Sequence, residues 1–163
     1  MKKLIIFLSF IFIFSSCSDK NTQKNISRLY IYHCSESSVP FEEYEIDFFQ
    51  REFTILVRGG FIGMTNEVTK DNPVIKSLSE EDINEFLSHA EEKGVTNWKK
   101  EYNNIAVEDG HQWGIVIAFT DGSKKEIKGS NAYPETWDAM NDAFEALTGE
   151  NILHVRSDWL DNH

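Results

Sequence analysis

Cysteine is scarce in this chain, with two among 163 residues, which excludes a small scaffold held by several disulfides. Proline is nearly as rare at three, which excludes a proline-rich linker protein. Positive charge is also short: 16 Lys and Arg stand against 27 Asp and Glu, for a formal charge of −11. Phosphate binding needs Lys and Arg gathered on one face, so nucleic acid is excluded as a partner. No apolar run reaches the roughly 20 residues of a membrane-spanning helix. Internal repeats of 20–50 residues and low-complexity tracts are absent as well. What is left is enough chain for one domain, on the usual scale of about 100–200 residues each.

The N-terminus departs from this average. Met1-Lys2-Lys3 is a short positive start, and Leu4 to Phe14 follows with Ser9 as its only polar residue. As a helix that stretch would be about 16 Å long, against about 30 Å for a hydrocarbon core. A positive start and a short apolar stretch have the form of a secretory signal. The competing reading, a buried first helix or strand, lacks a capping residue and a periodic face. The next residues, Phe14-Ser15-Ser16-Cys17, resemble the lipobox of bacterial lipoproteins, although Phe14 stands where Leu is more usual. The resemblance implies cleavage before Cys17, a diacylglycerol on its thiol and acylation, commonly by palmitate, of the new amine. Two or three acyl chains anchor stably where one does not. The alternative is an ordinary structural thiol at Cys17.

Cleavage there divides the chain into a signal at 1–16, a lipidated Cys17 with a flexible tether to residue 27, and one domain at 28–163. The signal takes away Lys2 and Lys3 and no acid, leaving a mature charge of about −13. Anionic headgroups repel such a charge, so the lipid must hold the protein at the membrane. Ser18 and Asp19, after the cysteine, resemble a sorting context for the outer membrane or cell surface rather than the inner membrane. With Cys34 the one cysteine left unlipidated, the fold must rest on a hydrophobic core.

Local patterns predict the elements. Arg28 to Cys34 alternates aromatic and branched residues like a strand apolar on both faces. Tyr44 to Gln50 and Phe53 to Arg58 read as a hairpin about Arg51-Glu52, with Gly59-Gly60 ending the second arm and a further short strand at Phe61 to Met64. Ser79, with Asp82 three residues on, resembles a capping box, and Leu78 can staple onto Ile83. Ile83, Phe86, Leu87 and Ala90 then mark one face of a helix that Lys93-Gly94 closes. Trp113, Ile115, Ile117 and Phe119 share a strand face, Asp121-Gly122 signals a tight hairpin, and Ser123 to Lys128 returns. Pro134 fits the first turn of a second helix, striped by Trp137, Met140, Phe144 and Leu147 and ended by Gly149. The order β-β-β-α-β-β-α predicts an α+β fold, an antiparallel sheet with two helices on one side.

No catalytic set is complete. His33 and Cys34 are strand neighbours and point to opposite faces, so they cannot form a thiolate–imidazolium pair with each other. A partner would have to come from His89, His111, His154 or His163, and nothing marks one. Cys34 therefore reads as a small buried residue. Glu108-Asp109-Gly110-His111 is at most half a metal site, and a solvated turn is the better reading. Glu42, Glu43, Glu45 and Asp47 read as a solvated strand face, with Glu45 and Asp47 on one side. Gly59-Gly60-Phe61-Ile62-Gly63 lacks the Lys and Ser/Thr of a phosphate loop. Trp113 and Trp137 fall on core faces. Trp98 and Trp159 lie outside strong periodicity with charges beside them, which makes them the candidate partner contacts, although a tail aromatic such as Trp159 can simply cover the core.

The stretch from Trp113 through Asp121-Gly122-Ser123, followed by Gly129-Ser130-Asn131-Ala132-Tyr133-Pro134, resembles small bacterial domains that join a DG hairpin to a G-x-N-A-Y-P helix start. That resemblance implies no catalytic residue and no cofactor. Left-handed or turn geometry at Gly129 and Asn131 is reason enough for the motif. The expected function is that of a lipid-anchored cell-envelope protein that binds rather than catalyses. The alternative is an immunity or inhibitor protein that neutralises a basic toxin or enzyme, whose cationic surface the acidic charge would steer. An envelope hydrolase ranks behind both.

Overall fold

The computed structural model describes residues 25–34, 40–59, 68–107 and 110–154. Cys17, the signal, the tether as far as residue 24, the expected strand at Phe61 to Met64, Glu108, Asp109, Trp159 and His163 lie outside the described residues. The elements are β1 (Ile26–Cys34), β2 (Pro40–Asp47), β3 (Glu52–Arg58), β4 (Val74–Ser77), α1 (Glu80–Glu92), a 3-10 turn (Val95–Asn97), β5 (Glu101–Asn103), β6 (Gln112–Phe119), β7 (Lys124–Ser130) and α2 (Trp137–Thr148). The seven strands form one sheet in the order β4-β3-β2-β1-β6-β7-β5. Pairing is antiparallel throughout except between β5 and β7, which run parallel. The fold is the expected α+β class with two short strands added. Neither β4 nor β5 is long enough to show a period in sequence, and both sit at sheet edges, where pairing with one neighbour defines them. β1 begins at Ile26, ahead of the boundary expected at Arg28.

One face of the sheet and both helices make a single core. Leu29, Ile31, Tyr44, Ile46, Phe53, Ile55, Trp113, Ile115, Ile117 and Ile127 meet Phe86, Ala90, Met140, Phe144 and Leu147 there. α1 starts as its sequence predicts: Ser79 Oγ accepts the Asp82 N–H at 3.0 Å. The Asp82 side chain is too short to reach back to the backbone of residue 79, and instead accepts the Ser79 hydroxyl at 2.6 Å. Leu78 and Ile83 both join the core.

Three turns differ from expectation. β2 ends at Asp47, and the turn is Phe48 to Arg51. Asp47 Oδ1 accepts the N–H groups of Phe49 and Gln50 at 2.9 Å each, and Arg51 takes φ +56°, so an Asx turn does what Arg51-Glu52 could not. At the DG hairpin, Gly122 N–H donates to Phe119 O and Phe119 N–H to Ser123 O. With Gly122 at φ +82°, this is a three-residue loop with a glycine bulge rather than a two-residue turn. Pro134 stands in a turn before α2: Trp137 N–H donates to Pro134 O at 3.1 Å, and Thr136 is the N-cap.

Four aromatic side chains wedge α2 onto the sheet. Trp113 and Trp137 have ring centroids 4.3 Å apart, Tyr133 lies 5.0 Å from Trp137, and Trp98 stacks on Trp137 at 6.0 Å. Each indole N–H has an acceptor, as buried indoles require: Ala132 O for Trp113, Thr136 Oγ1 for Trp98 and His154 O for Trp137. Trp98 is only 6% exposed, so it is not the partner contact that its charged neighbours suggested. Packing on Trp137 outweighs those neighbours, since Lys99 and Lys100 are exposed while Trp98 is not. Gly129 serves this cluster by having no side chain, for a Cβ there would lie 2.1 Å from the Trp113 ring. Its role is close approach, not left-handed geometry; Asn131, at φ +51°, does supply the left-handed residue.

Candidate functional site

At one end of the sheet the strand register gathers three histidines. His33 on β1 pairs across the sheet with Glu42 on β2 and with Trp113 on β6. It faces the core with Leu29 and Ile31, because strand residues two apart share a face. His111 leads into β6, and its backbone N–H and C=O are clamped by Asn131, through Oδ1 at 2.9 Å and N–H at 3.0 Å. His154 arrives from the segment after α2. That segment is held by Leu153 N–H on Asn141 Oδ1 at 3.0 Å and by the Trp137 indole on His154 O at 2.9 Å. His154 itself takes φ +59°, a strained conformation for a residue with a Cβ.

The hydrogen bonds within this cluster have one consistent direction. His33 Nε2 lies 2.7 Å from Ile152 O, and a carbonyl only accepts, so Nε2 carries the proton. His33 is fully buried, and burial first, then the adjacent His111 and His154, holds its pKa well below the ordinary histidine value. The ring is therefore neutral and Nδ1 is an acceptor. It accepts from His111 Nε2 at 2.6 Å. The two rings lie within 11° of parallel with centroids 4.8 Å apart. Since the nitrogens are so much closer than the centroids, the rings meet edge to edge along the hydrogen bond and are not stacked face to face. Burial lowers His111 to about 3, so it too is neutral, and its Nδ1 accepts the Tyr133 hydroxyl at 3.0 Å. Burial also lifts the Tyr133 phenol to about 12. The result is a one-way chain from Tyr133 through His111 and His33 to Ile152.

Glu42 closes the other side. His154 Nε2 donates to its Oε2 at 2.7 Å. Burial pushes the Glu42 carboxyl up, but the hydrogen bond and charge interaction with His154, helped by Tyr44, hold it net below its ordinary value. The His154 and Glu42 side chains keep 26% and 15% of their surface in solvent, so the cluster opens outward between them. Ligand atoms of His33, Glu42 and His154 all lie within 4.8 Å of one another.

Several expectations change here. The solvated-turn reading fails for His111, which is 1% exposed. The solvated strand face fails for Glu42, turned towards His33, and for two of its neighbours. Glu43 is buried under the Tyr30 hydroxyl at 2.6 Å and Lys70 at 2.7 Å, and Asp47 is held by Arg28. Cys34 is buried as expected, at 6% exposure, with burial lifting its thiol. His33 meets His111 and His154 rather than Cys34. The cluster escapes sequence reading because its members sit on four separated segments with no shared spacing; the one local signal is an unpaired histidine on an otherwise apolar strand face.

A second concave feature lies between the helices. A groove of about 310 Å³ is lined by Asp82, Glu85 and Asp142 over Phe86, Ala143 and Leu147, with His89 and Lys93 alongside. No described helix is long and apolar enough to cross a membrane. Comparison of the chain with protein-family models, with curated proteins and with solved structures finds no match.

Proposed function

We propose that the protein is a lipid-anchored domain of the bacterial cell envelope, held through Cys17 at the outer membrane or cell surface, that acts by binding a basic protein partner rather than by catalysis. The observation that supports binding is the groove between α1 and α2, with three carboxylates on its rim over an apolar floor. The outward face of α1 extends this rim with exposed Glu80, Glu81, Glu91 and Glu92. A rim in which acids outnumber the one lysine, Lys93, itself paired with Glu92, steers an oppositely charged partner, and an apolar floor gives it somewhere to bury a side chain. Neutralisation of a basic toxin or enzyme is the specific form of this reading that the charge favours.

The anchor is tested by palmitate labelling, which marks the wild type and spares Cys17→Ala; equal labelling of the two rejects the anchor. For binding, proteins retained from envelope extract by the wild type at low salt are compared with those retained by a Glu85→Lys, Asp142→Lys variant. The reading expects a basic species that the variant loses and that added salt releases. An unchanged retained set rejects the groove.

A further inference from the structure

We propose that His33, Glu42 and His154, with His111 completing the set, form a binding site for a divalent transition metal of the zinc type. The donors are two or three imidazoles and one carboxylate, the combination that suits Zn²⁺. Three of them already bring ligand atoms within 4.8 Å of one another. Zinc bonds of 2.0–2.2 Å place neighbouring ligand atoms about 3.3 Å apart, so binding draws the group in by roughly 1.5 Å at most. Glu42 and His154 can supply that movement, since both side chains reach solvent.

The surroundings are those of ligating histidines. A metal-bound imidazole commonly donates its other N–H to a carbonyl or carboxylate, which fixes the ring. His33 makes that bond to Ile152 O and presents Nδ1 inward. His111 Nε2 faces the same nitrogen at 2.6 Å, a separation at which two facing lone pairs need a proton between them. A proton fills that place when the Tyr133 hydroxyl donates to His111 Nδ1. If the hydroxyl rotates to accept instead, His111 shifts its proton from Nε2 to Nδ1 with no proton lost from this pair. The freed His111 nitrogen can then join as a further ligand once the rings part from 2.6 Å to the roughly 3.3 Å that zinc requires. The segment bearing His154 is fixed on both sides by Asn141 and Trp137 while holding His154 at φ +59°. Strain supported in this way is found where side-chain placement matters to function. The site is independent of the anchor and of the groove, and a bound dication would offset the carboxylate that Glu42 places against the core.

The test uses the full-length protein in detergent, freed of metal with a chelator and titrated with Zn²⁺ alone against a chromogenic zinc indicator. The expected result is one Zn²⁺ per chain, with affinity reduced at least about 100-fold in His154→Ala and in Glu42→Gln, the upper end of what even outer-sphere partners cost. His89→Ala, which changes an exposed histidine on α1, should bind as the wild type does. His33 is fully buried and its replacement risks unfolding, so the two solvent-facing ligands carry the test, and near-ultraviolet dichroism of the tryptophan cluster verifies the fold of each. Co²⁺ in place of Zn²⁺ should give ligand-field bands in the wild type that both variants lose. Absence of stoichiometric binding, or binding kept in both variants, overturns the proposal and leaves the cluster as a hydrogen-bonded knot that pins the C-terminal segment.

Discussion

Two glycines of this sheet meet the same obstacle on paper and should behave oppositely. A Cβ at Gly129 would lie 2.1 Å from the Trp113 ring, and a Cβ at Gly114 would lie 2.1 Å from the Tyr32 ring. Trp113 is 1% exposed, hydrogen-bonded to Ala132 O at 3.1 Å and enclosed by Trp137, Tyr133 and Tyr102. It has nowhere to go. Gly129→Ala must shift the indole or separate β7 from β6, and overpacking of a tight core costs about 1–3 kcal/mol. Loss of the indole hydrogen bond adds about 1 kcal/mol, so the expected destabilisation is about 3 kcal/mol. Tyr32 is half-buried on the sheet face away from the helices, and the atoms that a Cβ at Gly114 would meet are at the far end of its ring. A small rotation frees them. The new methyl also removes the roughly 0.5–1 kcal/mol that glycine costs in a strand, so Gly114→Ala should stay within about 1 kcal/mol of the wild type. Urea denaturation followed by tryptophan fluorescence measures both, read as a change of midpoint at constant slope. Equal losses, or a larger loss at Gly114, would refute the claim that freedom of the obstructing side chain decides the cost.

Other outcomes follow from single contacts. Glu150 accepts Lys76 at 2.5 Å and Arg58 at 2.9 Å, tying β3 and β4 to the end of α2. The Lys76 hydrogen bond foremost, then Arg58, holds its carboxyl below the ordinary value of 4.5. A depressed folded value stabilises above the unfolded value and ceases to do so as pH falls through the folded one. Glu150→Gln should therefore cost at most about 1 kcal/mol at neutral pH, given the partial exposure of the pair, and the gap should close in acid; a gap that widens below pH 4.5 contradicts this assignment. Ser79→Ala should cost about 1 kcal/mol through loss of the α1 cap, while Ser79→Asn, measured by the same melt, should keep most of it. Trp98→Ala should cost about 3–5 kcal/mol as a core truncation; a change under 1 kcal/mol would return Trp98 to the surface.

What was legible in sequence was local. Ser79 caps α1 because its hydroxyl and the N–H it serves are three residues apart, and the stripes of α1 and α2 bury because helical period is a property of a few turns. Where local chemistry misled, a tertiary partner had intervened. Thr136 caps α2 without a side-chain bond because its hydroxyl goes to the Lys93 carbonyl and receives the Trp98 indole. Glu43 looks solvated by composition and is buried because Tyr30, on the neighbouring strand, covers it.

By itself, then, the sequence determined the α+β class, the N-cap of α1, the glycine end of α2 and the buried faces of both helices, since each depends on residues within about one turn or one strand of one another. It also holds the contiguous stretch Phe14-Ser15-Ser16-Cys17 on which the proposed export and lipidation rest. Tertiary structure alone decided that Trp98 is core and that His33 meets Glu42, His154 and His111. Strand register set those four together: β1 lies between β2 and β6, which brings Glu42 and the start of β6 to either side of His33, and the segment after α2, held by Asn141 and Trp137, brings His154 to them. No spacing in the chain encodes that meeting, because it depends on which strands pair and in what register, and the whole core decides both.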